Sequence, residues 1–389
     1  MPISAIRKLY PYAQRAMKRG IFVHYLNIGQ PDLPTPTLYF RQIQQLAKKS
    51  VVYAPSAGTS DAIEAWRQYY RSYGIQYNQD EIIITTGGSE AIFFAMLAVA
   101  DSGDEILTFE PLYTNYLSYA RMAGISLKAI LLYAKDNFEI PITQQILKKI
   151  TSKTRAIIIC NPSNPTGTVF SKAELKRITE VAKKKNLFII TDEVYRELVY
   201  NGRQFISMME FSEVRDRIIM VDSISKRFNL CGARVGCIAS KNKQVMQCVL
   251  RFAQGRLSAP MLEQLAVIPL LKNPQRHTKT LVAEYERRRA VVMEAFRGVS
   301  GMYCSKPVGA FYVLVTLPVN NAEHFSKWLL EKFSYKKETV MLAPGNGFYI
   351  TPGLGKKQVR IAYIESVPKL KRAMEIIKRA LQKYNARYK

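Results

Sequence analysis

The sequence predicts an α/β fold. A large domain would hold a mostly parallel, seven-stranded sheet flanked by helices, and both chain ends would form a smaller α/β domain. The large domain is predicted by apolar, β-branched runs that alternate with helical patterns between about residues 80 and 240. Continuous apolar runs between helices are typical of a parallel sheet covered on both faces. The length of 389 residues allows two or three domains of about 150 residues each.

The strands of the large domain are predicted from their apolar content and from the residues that interrupt them. The seven candidates are residues 81–85, 105–109, 125–133, 155–160, 187–193, 217–225 and 234–240. Helices are expected after Gly87 and Gly88, where two glycines break the first strand, and over residues 141–150 and 171–185.

The chain ends predict the smaller domain. A charged helix over residues 281–296, strand candidates at 310–317 and 359–364 and a terminal helix favour an α/β unit with an antiparallel sheet. An N-terminal helix and the segment LNIGQPDLPTP are expected to join it. The expected boundaries are residues 1–45 for the N-terminal part of the small domain, 46–285 for the large domain and 286–389 for the C-terminal part.

Composition narrows the class of protein. The formal net charge of +27 suits nucleic acid, an anionic membrane surface or anionic small molecules. No apolar run approaches the ~20 residues of a spanning helix, and the first residues lack a secretory apolar region, so no membrane partner is expected. Five widely spaced cysteines and three histidines predict neither a disulfide framework nor a metal site, and a reducing cytoplasm is the expected setting.

Candidate functional residues lie where the predicted strands end, which is where doubly wound sheets bind ligands. In SISKRFNLCGARVG, Lys226 is followed by Arg227 and Arg234. Neighbouring cations can lower the pKa of a lysine enough for it to form a Schiff base. Ser223, Ser225 and Arg234 also resemble a phosphate site. Taken alone, the stretch also suits a solvated basic loop.

A second cluster, TDEVY, ends an apolar run. A carboxylate at the end of a buried strand requires a partner, so Asp192 can pair with a cation such as a protonated ring nitrogen. Tyr195 lies three residues on and can project to the same side. The alternative is that Asp192 caps a helix and Tyr195 packs in the core.

Two further clusters complete the set. In NPSNPTG, the prolines hold Asn161 and Asn164 extended, and in TTGGSEA a helix start offers backbone N–H groups to an anion. Each also suits a rigid turn without a ligand. Together, however, a lysine, a strand-end aspartate, a tyrosine, an asparagine and a phosphate site are what pyridoxal phosphate needs from a protein.

In the order and spacing of these motifs, the chain resembles class I/II aminotransferases, which are pyridoxal phosphate enzymes of fold type I. The resemblance extends from LNIGQPDLPTP to VRIAYI. It implies that Lys226 forms the Schiff base and moves the substrate proton, and that Asp192 pairs with the ring nitrogen. It also implies that Tyr195 and Asn164 bind the phenolic oxygen of the ring and that Tyr113, in EPLYTNY, stacks on the ring.

The resemblance also implies a phosphate site and a shared dimer interface. Groups from one subunit would bind the phosphate at Gly88, Ser89, Ser223, Ser225 and Arg234. A second subunit would add Tyr53, in YAPSAG, and Ser258, in RLSAP. A homodimer with shared active sites is therefore expected.

The substrates implied are an amino acid and a 2-oxo acid. Arg360, in VRIAY, would bind the α-carboxylate bidentately, beside Asn164 and the backbone of Gly29. The pattern is most similar to the aspartate aminotransferase group, which suggests aspartate and 2-oxoglutarate. A dicarboxylic substrate needs a second cation. The first candidate is Arg256, which lies two residues before Ser258 and could act in its own subunit or reach in from the partner subunit, and Arg227 is the second.

Other functions stay open at this point. An aromatic or broad-specificity aminotransferase would suit the 23 tyrosines, and a pyridoxal phosphate-dependent β-lyase would share nearly every residue named above. A nucleic-acid-binding protein is suggested by charge alone, without a recognition motif, so no nucleic acid partner is expected. The basic stretch 369–389 has the apolar spacing of an amphipathic helix with a solvated basic face.

Overall fold

A computed structural model describes residues 4, 6–46 and 50–388, and its strands include every one that was predicted for the large domain. The strands in chain order are β1 (Phe22–Tyr25), β2 (Ile82–Thr85), β3 (Glu105–Glu110), β4 (Ser126–Leu131), β5 (Thr154–Cys160), β6 (Phe188–Asp192), β7 (Ile218–Ser223), β8 (Gly236–Ser240), β9 (Tyr312–Thr316), β10 (Glu338–Met341), β11 (Ala343–Pro344) and β12 (Gln358–Ala362).

Helices connect these strands and cover the sheets. In chain order they are α1 (Tyr10–Lys18), α2 (Thr37–Leu46), α3 (Ser60–Arg71), α4 (Gly87–Val99), α5 (Asn115–Met122), α6 (Thr143–Leu147), α7 (Lys172–Lys185), α8 (Ile224–Arg227), α9 (Lys243–Gly255), α10 (Met261–Ala266), α11 (Ile268–Lys272), α12 (Gln275–Phe296), α13 (Ala322–Lys332) and α14 (Val367–Tyr388).

The large sheet has seven strands in the order β2-β8-β7-β6-β5-β3-β4. The strand β8 runs antiparallel to both of its neighbours, and the other pairs are parallel. This confirms the predicted mostly parallel seven-stranded sheet. Because Cys160 pairs with Asp192 and Asp192 pairs with Val221, the carboxyl ends of β5, β6 and β7 lie at one edge of the sheet.

Both faces of this sheet are buried, which explains the continuous apolar runs. Successive residues of a strand point to opposite faces, and Ile189 and Ile190 accordingly belong to different hydrophobic clusters. Helices α4 and α9 cover the face of Ile190, and helices α3, α7 and α11 cover the face of Ile189.

The two chain ends form two small sheets. Strands β11, β12 and β9 make the antiparallel sheet that was predicted, in that order. Strand β1 pairs in parallel with β10, with His24 opposite Val340, and this pairing was not predicted. The predicted boundary between residues 285 and 286 falls within α12. We propose that this continuous helix joins the two domains.

The C-terminal helix α14 has the predicted amphipathic form. Leu370, Met374, Ile377 and Leu381 are buried, while Lys371, like most of the basic residues of the helix, is exposed. Residues 1–3 of the N-terminal segment and Lys389 of the basic stretch lie outside the described residues. Among the helices of the described part, none is both long and apolar enough to cross a membrane.

Candidate active site

A cavity of about 570 Å³ opens at the carboxyl edge of β5, β6 and β7. It is lined by residues from both the large sheet and the small domain. Most of the predicted site residues line it: Gly29, Gly88, Ser89, Tyr113, Asn164, Asp192, Tyr195, Ser223, Ser225, Lys226, Arg234 and Arg360. The edge predicted from the strand ends is therefore the edge that carries the cavity.

Lys226 lies in the short helix α8, directly after the end of β7. Its Nζ donates a hydrogen bond to the carbonyl oxygen of Gly29 at 2.8 Å and lies 3.6 Å from Sγ of Cys231. The hydroxyl of Ser223 accepts a hydrogen bond from the backbone N–H of Ser225 and so caps this helix. The amine is thus held inside the cavity by neutral acceptors.

Asp192 ends β6 and is 3% exposed. Its carboxylate accepts hydrogen bonds from the hydroxyl of Tyr116 at 2.7 Å and from the backbone N–H of Val194 at 3.3 Å. Burial raises the pKa of this carboxyl to about 6, although the two hydrogen bonds lower it. A buried carboxylate that faces a cavity favours a cationic partner there.

An anion site lies where α4 begins. Gly87 has φ +76°, and a Cβ at this position would come within 2.6 Å of Nη2 of Arg234, so glycine allows the guanidinium to approach. Arg234 donates to the carbonyl oxygens of Thr86 at 3.2 Å and Cys231 at 3.0 Å. The hydroxyl groups of Ser223 and Ser225 lie 2.9 Å apart beside it. Hydroxyls, a guanidinium and a helix N-terminus together suit a phosphate group.

Arg360 lies in β12 of the small domain and is 1% exposed. Its Nη1 donates to Oδ1 of Asn164 at 3.0 Å, and its Nη2 donates to the carbonyl oxygen of Asn27. Its Nε has no hydrogen-bond partner among the described residues, and burial lowers its pKa. A buried guanidinium with a vacant donor favours an incoming carboxylate.

Four predicted residues lie outside the cavity lining: Tyr53, Ser258, Arg256 and Arg227. Tyr53 is 79% exposed and Ser258 is half-buried, and each was predicted to act on a partner subunit. Arg256, predicted to bind the substrate side chain, instead donates to the carbonyl oxygen of Ile84 at 3.1 Å, with Nε 3.4 Å from Glu90. Within this chain, Arg256 is thus engaged elsewhere.

Arg227, the second candidate for that role, is also unsuitable. It is buried, and its guanidinium forms an ion pair with the buried carboxylate of Asp222. Two aromatic rings, those of Trp66 and Tyr69, pack against it. The expectation that Arg227 binds substrate is not supported by this arrangement.

The sequence did not predict Tyr312, which lines the cavity, or Tyr116, which donates a hydrogen bond to Asp192. Tyr312 starts β9, and its hydroxyl lies 2.8 Å from that of Tyr195. A Cβ at position 29 would collide with this hydroxyl, so Gly29 is required for the close approach. Tyr312 gave no signal because a tyrosine in an apolar strand is typical of a core. Tyr116 could have been predicted from its spacing, because residues three apart lie on the same face of a helix and Tyr113 was already a predicted site residue.

These residues fit pyridoxal phosphate, the cofactor that the family resemblance implies. The buried carboxyl of Asp192 suits a protonated ring nitrogen, and the start of α4 with Arg234 suits the phosphate. The amine of Lys226 and the hydroxyl of Tyr195 line the same cavity. The individual roles of the site residues stay predictions.

Comparisons with known proteins agree with this geometry. A family model described as aminotransferase class I and II matches residues 23–377. Aspartate aminotransferase of Pyrococcus horikoshii is 31% identical over 389 aligned residues, which cover 97% of this chain and 95% of that protein. The (5-formylfuran-3-yl)methyl phosphate transaminase of Methanocaldococcus jannaschii is 32% identical over 375 residues, and 95% of each chain is covered.

Solved structures have the same fold. Aspartate aminotransferase from Thermus thermophilus with maleate has a TM-score of 0.89 to this chain at 26% sequence identity. The match covers 98% of this chain and 97% of that one.

Proposed function

Since this chain belongs to the class I and II aminotransferases and is a pyridoxal phosphate-dependent transaminase, we propose that its amino donor is aspartate and its acceptor 2-oxoglutarate. The observation that carries the proposal is the buried guanidinium of Arg360, whose Nε has no hydrogen-bond partner among the described residues, in the same cavity as Lys226 and Asp192. Such an arrangement suits a substrate whose α-carboxylate must be bound beside a reactive amine.

The cofactor would be bound by groups from several strand ends. Asp192 would pair with the ring nitrogen, Tyr195 and Asn164 would bind the phenolic oxygen, and Tyr113 would lie against the ring. The phosphate would be bound at the start of α4 by Arg234 and its neighbouring hydroxyl groups. When bound, pyridoxal phosphate supplies an electron-withdrawing ring that acidifies the Cα–H bond of the amino acid.

Lys226 would move the proton that transamination requires. As a free amine it can accept the proton from substrate Cα and return it to the cofactor carbon, which is general acid–base catalysis. The carbonyl oxygen of Gly29 already holds Nζ at 2.8 Å. Arg360 would hold the α-carboxylate, and its contact with Asn164 links the substrate site to the ring site.

Relatives support a substrate with a second anionic group. Two of them are named for aspartate and for a furan-based phosphate ester, and a structural relative was solved with maleate, which is a dicarboxylate. The strongly basic composition of the chain, +27, is consistent with anionic substrates.

The experiment that tests this proposal is an amino-donor panel with 2-oxoglutarate as acceptor. Aspartate is expected to give glutamate at the highest kcat/KM, ahead of alanine, phenylalanine and tyrosine, without release of ammonia. A higher kcat/KM with the aromatic donors would overturn aspartate as donor, and ammonia with pyruvate from cysteine, which carries a leaving group on Cβ, would indicate β-elimination instead.

We also propose a homodimer with shared active sites. The exposed stretch Val51, Val52 and Tyr53 supports an interface because consecutive apolar side chains rarely face water in a monomer. Mixing the inactive Lys226→Ala variant with Tyr53→Ala is expected to restore activity above either variant alone. A mixed dimer would contain one intact site, made of Lys226 from one subunit and Tyr53 from the other. No gain after subunit exchange would contradict shared sites.

A cytoplasmic location is proposed as well. The five cysteines are free thiols in the structure, which suits a reducing compartment. Fractionation of the native host, with the transaminase activity in the cytosolic fraction, would test it.

A further inference from the structure

The cavity brings together four cationic side chains among the described residues: Arg7, Lys226, Arg234 and Arg360. Three of them have proposed partners, namely the reacting group of the cofactor, its phosphate and the α-carboxylate of the substrate. Arg7 has none. The two arginines that the sequence suggested for a second carboxylate are engaged elsewhere, Arg256 with Glu90 and Arg227 with Asp222.

The segment around Arg7 is fixed to the body of the protein on both sides of that residue. The carbonyl oxygen of Ile6 accepts a hydrogen bond from Nδ2 of Asn27 at 2.7 Å. On the other side, Lys8 forms an ion pair with Glu323 at 2.6 Å, and Leu9 is buried with 4% exposure. Arg7 itself is exposed at the cavity, and in the described part of the chain no carboxylate lies within ion-pair distance of its guanidinium.

The same segment is connected to the predicted α-carboxylate site. Asn27 binds Ile6 through its side chain and accepts a hydrogen bond from Nη2 of Arg360 at its backbone carbonyl. Arg7 and Arg360 are therefore attached to a common residue and line a common cavity. An α-amino acid with an anionic side chain presents two anions a few ångströms apart, and two such guanidinium groups suit it.

We propose that Arg7 binds the second anionic group of the substrate, the side-chain carboxylate of aspartate or glutamate, while Arg360 binds the α-carboxylate. This inference rests on the proposed function, since it assumes a dicarboxylic substrate. The specificity for dicarboxylates is thereby assigned to the segment before α1. Arg7 takes the role that the sequence suggested for Arg256.

The test compares Arg7→Gln with wild-type holoenzyme. Loss of charge-assisted hydrogen bonds to one carboxylate should lower kcat/KM for aspartate by about 10- to 100-fold, while kcat/KM for alanine changes by less than about threefold. Binding of succinate, followed by the change in cofactor absorbance, should weaken by a similar factor, and binding of butyrate should stay the same. Succinate and butyrate differ by one carboxylate, so the pair isolates the second anionic group.

The matched control is Lys18→Gln, which removes the same charge from α1. Lys18 is exposed and lies outside the cavity lining, so the aspartate-to-alanine ratio should not change. If wild type prefers aspartate and Arg7→Gln keeps the wild-type ratio, this proposal is wrong and the proposed function stands. If Arg256→Gln lowers the ratio instead, Arg256 holds the role. A wild type that does not prefer aspartate to alanine overturns the proposed function and this inference with it.

Discussion

The hydroxyl groups of Tyr195 and Tyr312 lie 2.8 Å apart, although the two residues are 117 positions apart in the sequence. Tyr195 follows a strand of the large sheet, and Tyr312 starts a strand of the small domain. The guanidinium of Arg360 lies 4.4 Å from the ring centroid of Tyr312. One tyrosine thus touches both the residue predicted to bind the cofactor ring and the residue predicted to bind the substrate.

This contact predicts the effect of Tyr312→Phe. The hydroxyl of Tyr195 would lose a hydrogen-bond partner, which is worth about 0.5–1.5 kcal/mol, and kcat should fall by roughly 3- to 10-fold while the cofactor stays bound. The pH at which the cofactor absorbance changes should also shift, because Tyr195 is predicted to bind the ring oxygen. Tyr363→Phe makes the same chemical change at a buried tyrosine outside the cavity lining, and it should leave that pH unchanged. An unshifted titration in Tyr312→Phe would show that the contact is only structural.

Replacing Asp192 should have opposite effects on stability and on cofactor binding. Burial raises its pKa from 3.8 to about 6, so the carboxyl contributes stability below pH 4 that is lost as pH rises through 6. Each pKa unit corresponds to about 1.4 kcal/mol, so cofactor-free Asp192→Asn should be more stable than wild type at pH 7.5 by up to about 3 kcal/mol.

Urea unfolding of the cofactor-free proteins checks this, and the difference should shrink toward pH 4. The same variant should lose cofactor on dialysis, because the neutral amide cannot pair with a protonated ring nitrogen. If the stability of Asp192→Asn relative to wild type is lower at pH 7.5 than at pH 4, the carboxyl of Asp192 does not have the raised pKa described here.

Replacing Arg360 should weaken substrate binding and spare the cofactor. Lysine offers a single point charge where the guanidinium fork binds bidentately, so Arg360→Lys should lower kcat/KM by about 100-fold or more. Arg289→Lys is the control, because Arg289 is also buried but binds the carbonyl oxygen of Pro307 at 3.0 Å. A KM for aspartate that rises in Arg289→Lys and not in Arg360→Lys would reverse the assignment.

The two carboxylates next to His24 predict that the stability of the folded protein depends on pH. Its two ring nitrogens lie 2.8 Å from the carboxylates of Glu338 and Glu365. Burial works against its charge, but the hydrogen bonds to both carboxylates prevail and raise its pKa above 6.5. Its stabilising effect is therefore complete below pH 6.5 and is lost as pH rises through the pKa of the folded state.

His24→Gln should be less stable than wild type by about 3 kcal/mol at pH 6, and by less at pH 9. Unfolding in urea at the two pH values measures this difference. His277→Gln serves as the control, since burial lowers the pKa of His277 and its protonation should not stabilise the fold. A His24→Gln deficit that grows with pH would contradict the assignment.

The large sheet and most of its functional edge could be predicted because each strand carries its own local signal. Ile157, Ile158 and Ile159 form an apolar run that predicts a buried strand, whichever strands lie next to it in the sheet. Polar residues that directly follow such runs indicate the carboxyl edge of the sheet, where ligands bind. Asp192 and Asn164 were found in this way.

Residues that act through distant contacts could not be predicted in this way. His24 pairs with Val340, and Tyr312 contacts Tyr195. In both cases the local sequence of one segment does not indicate which distant segment it contacts. Arg7 lies in a short stretch without periodicity. Arg256 was chosen because it is close in sequence to Ser258, whereas the nearby carboxylate of Glu90 decides its orientation.

Lys226 is predicted to carry the cofactor in this cavity. Reduction of the holoenzyme with borohydride, followed by proteolysis and mass spectrometry, identifies the lysine that carried the cofactor, because the reduced linkage stays on its side chain. One modified peptide is expected, the one that contains Lys226, and none from Lys226→Ala. A cofactor found on another lysine, or still attached in Lys226→Ala, would rule out this role of Lys226.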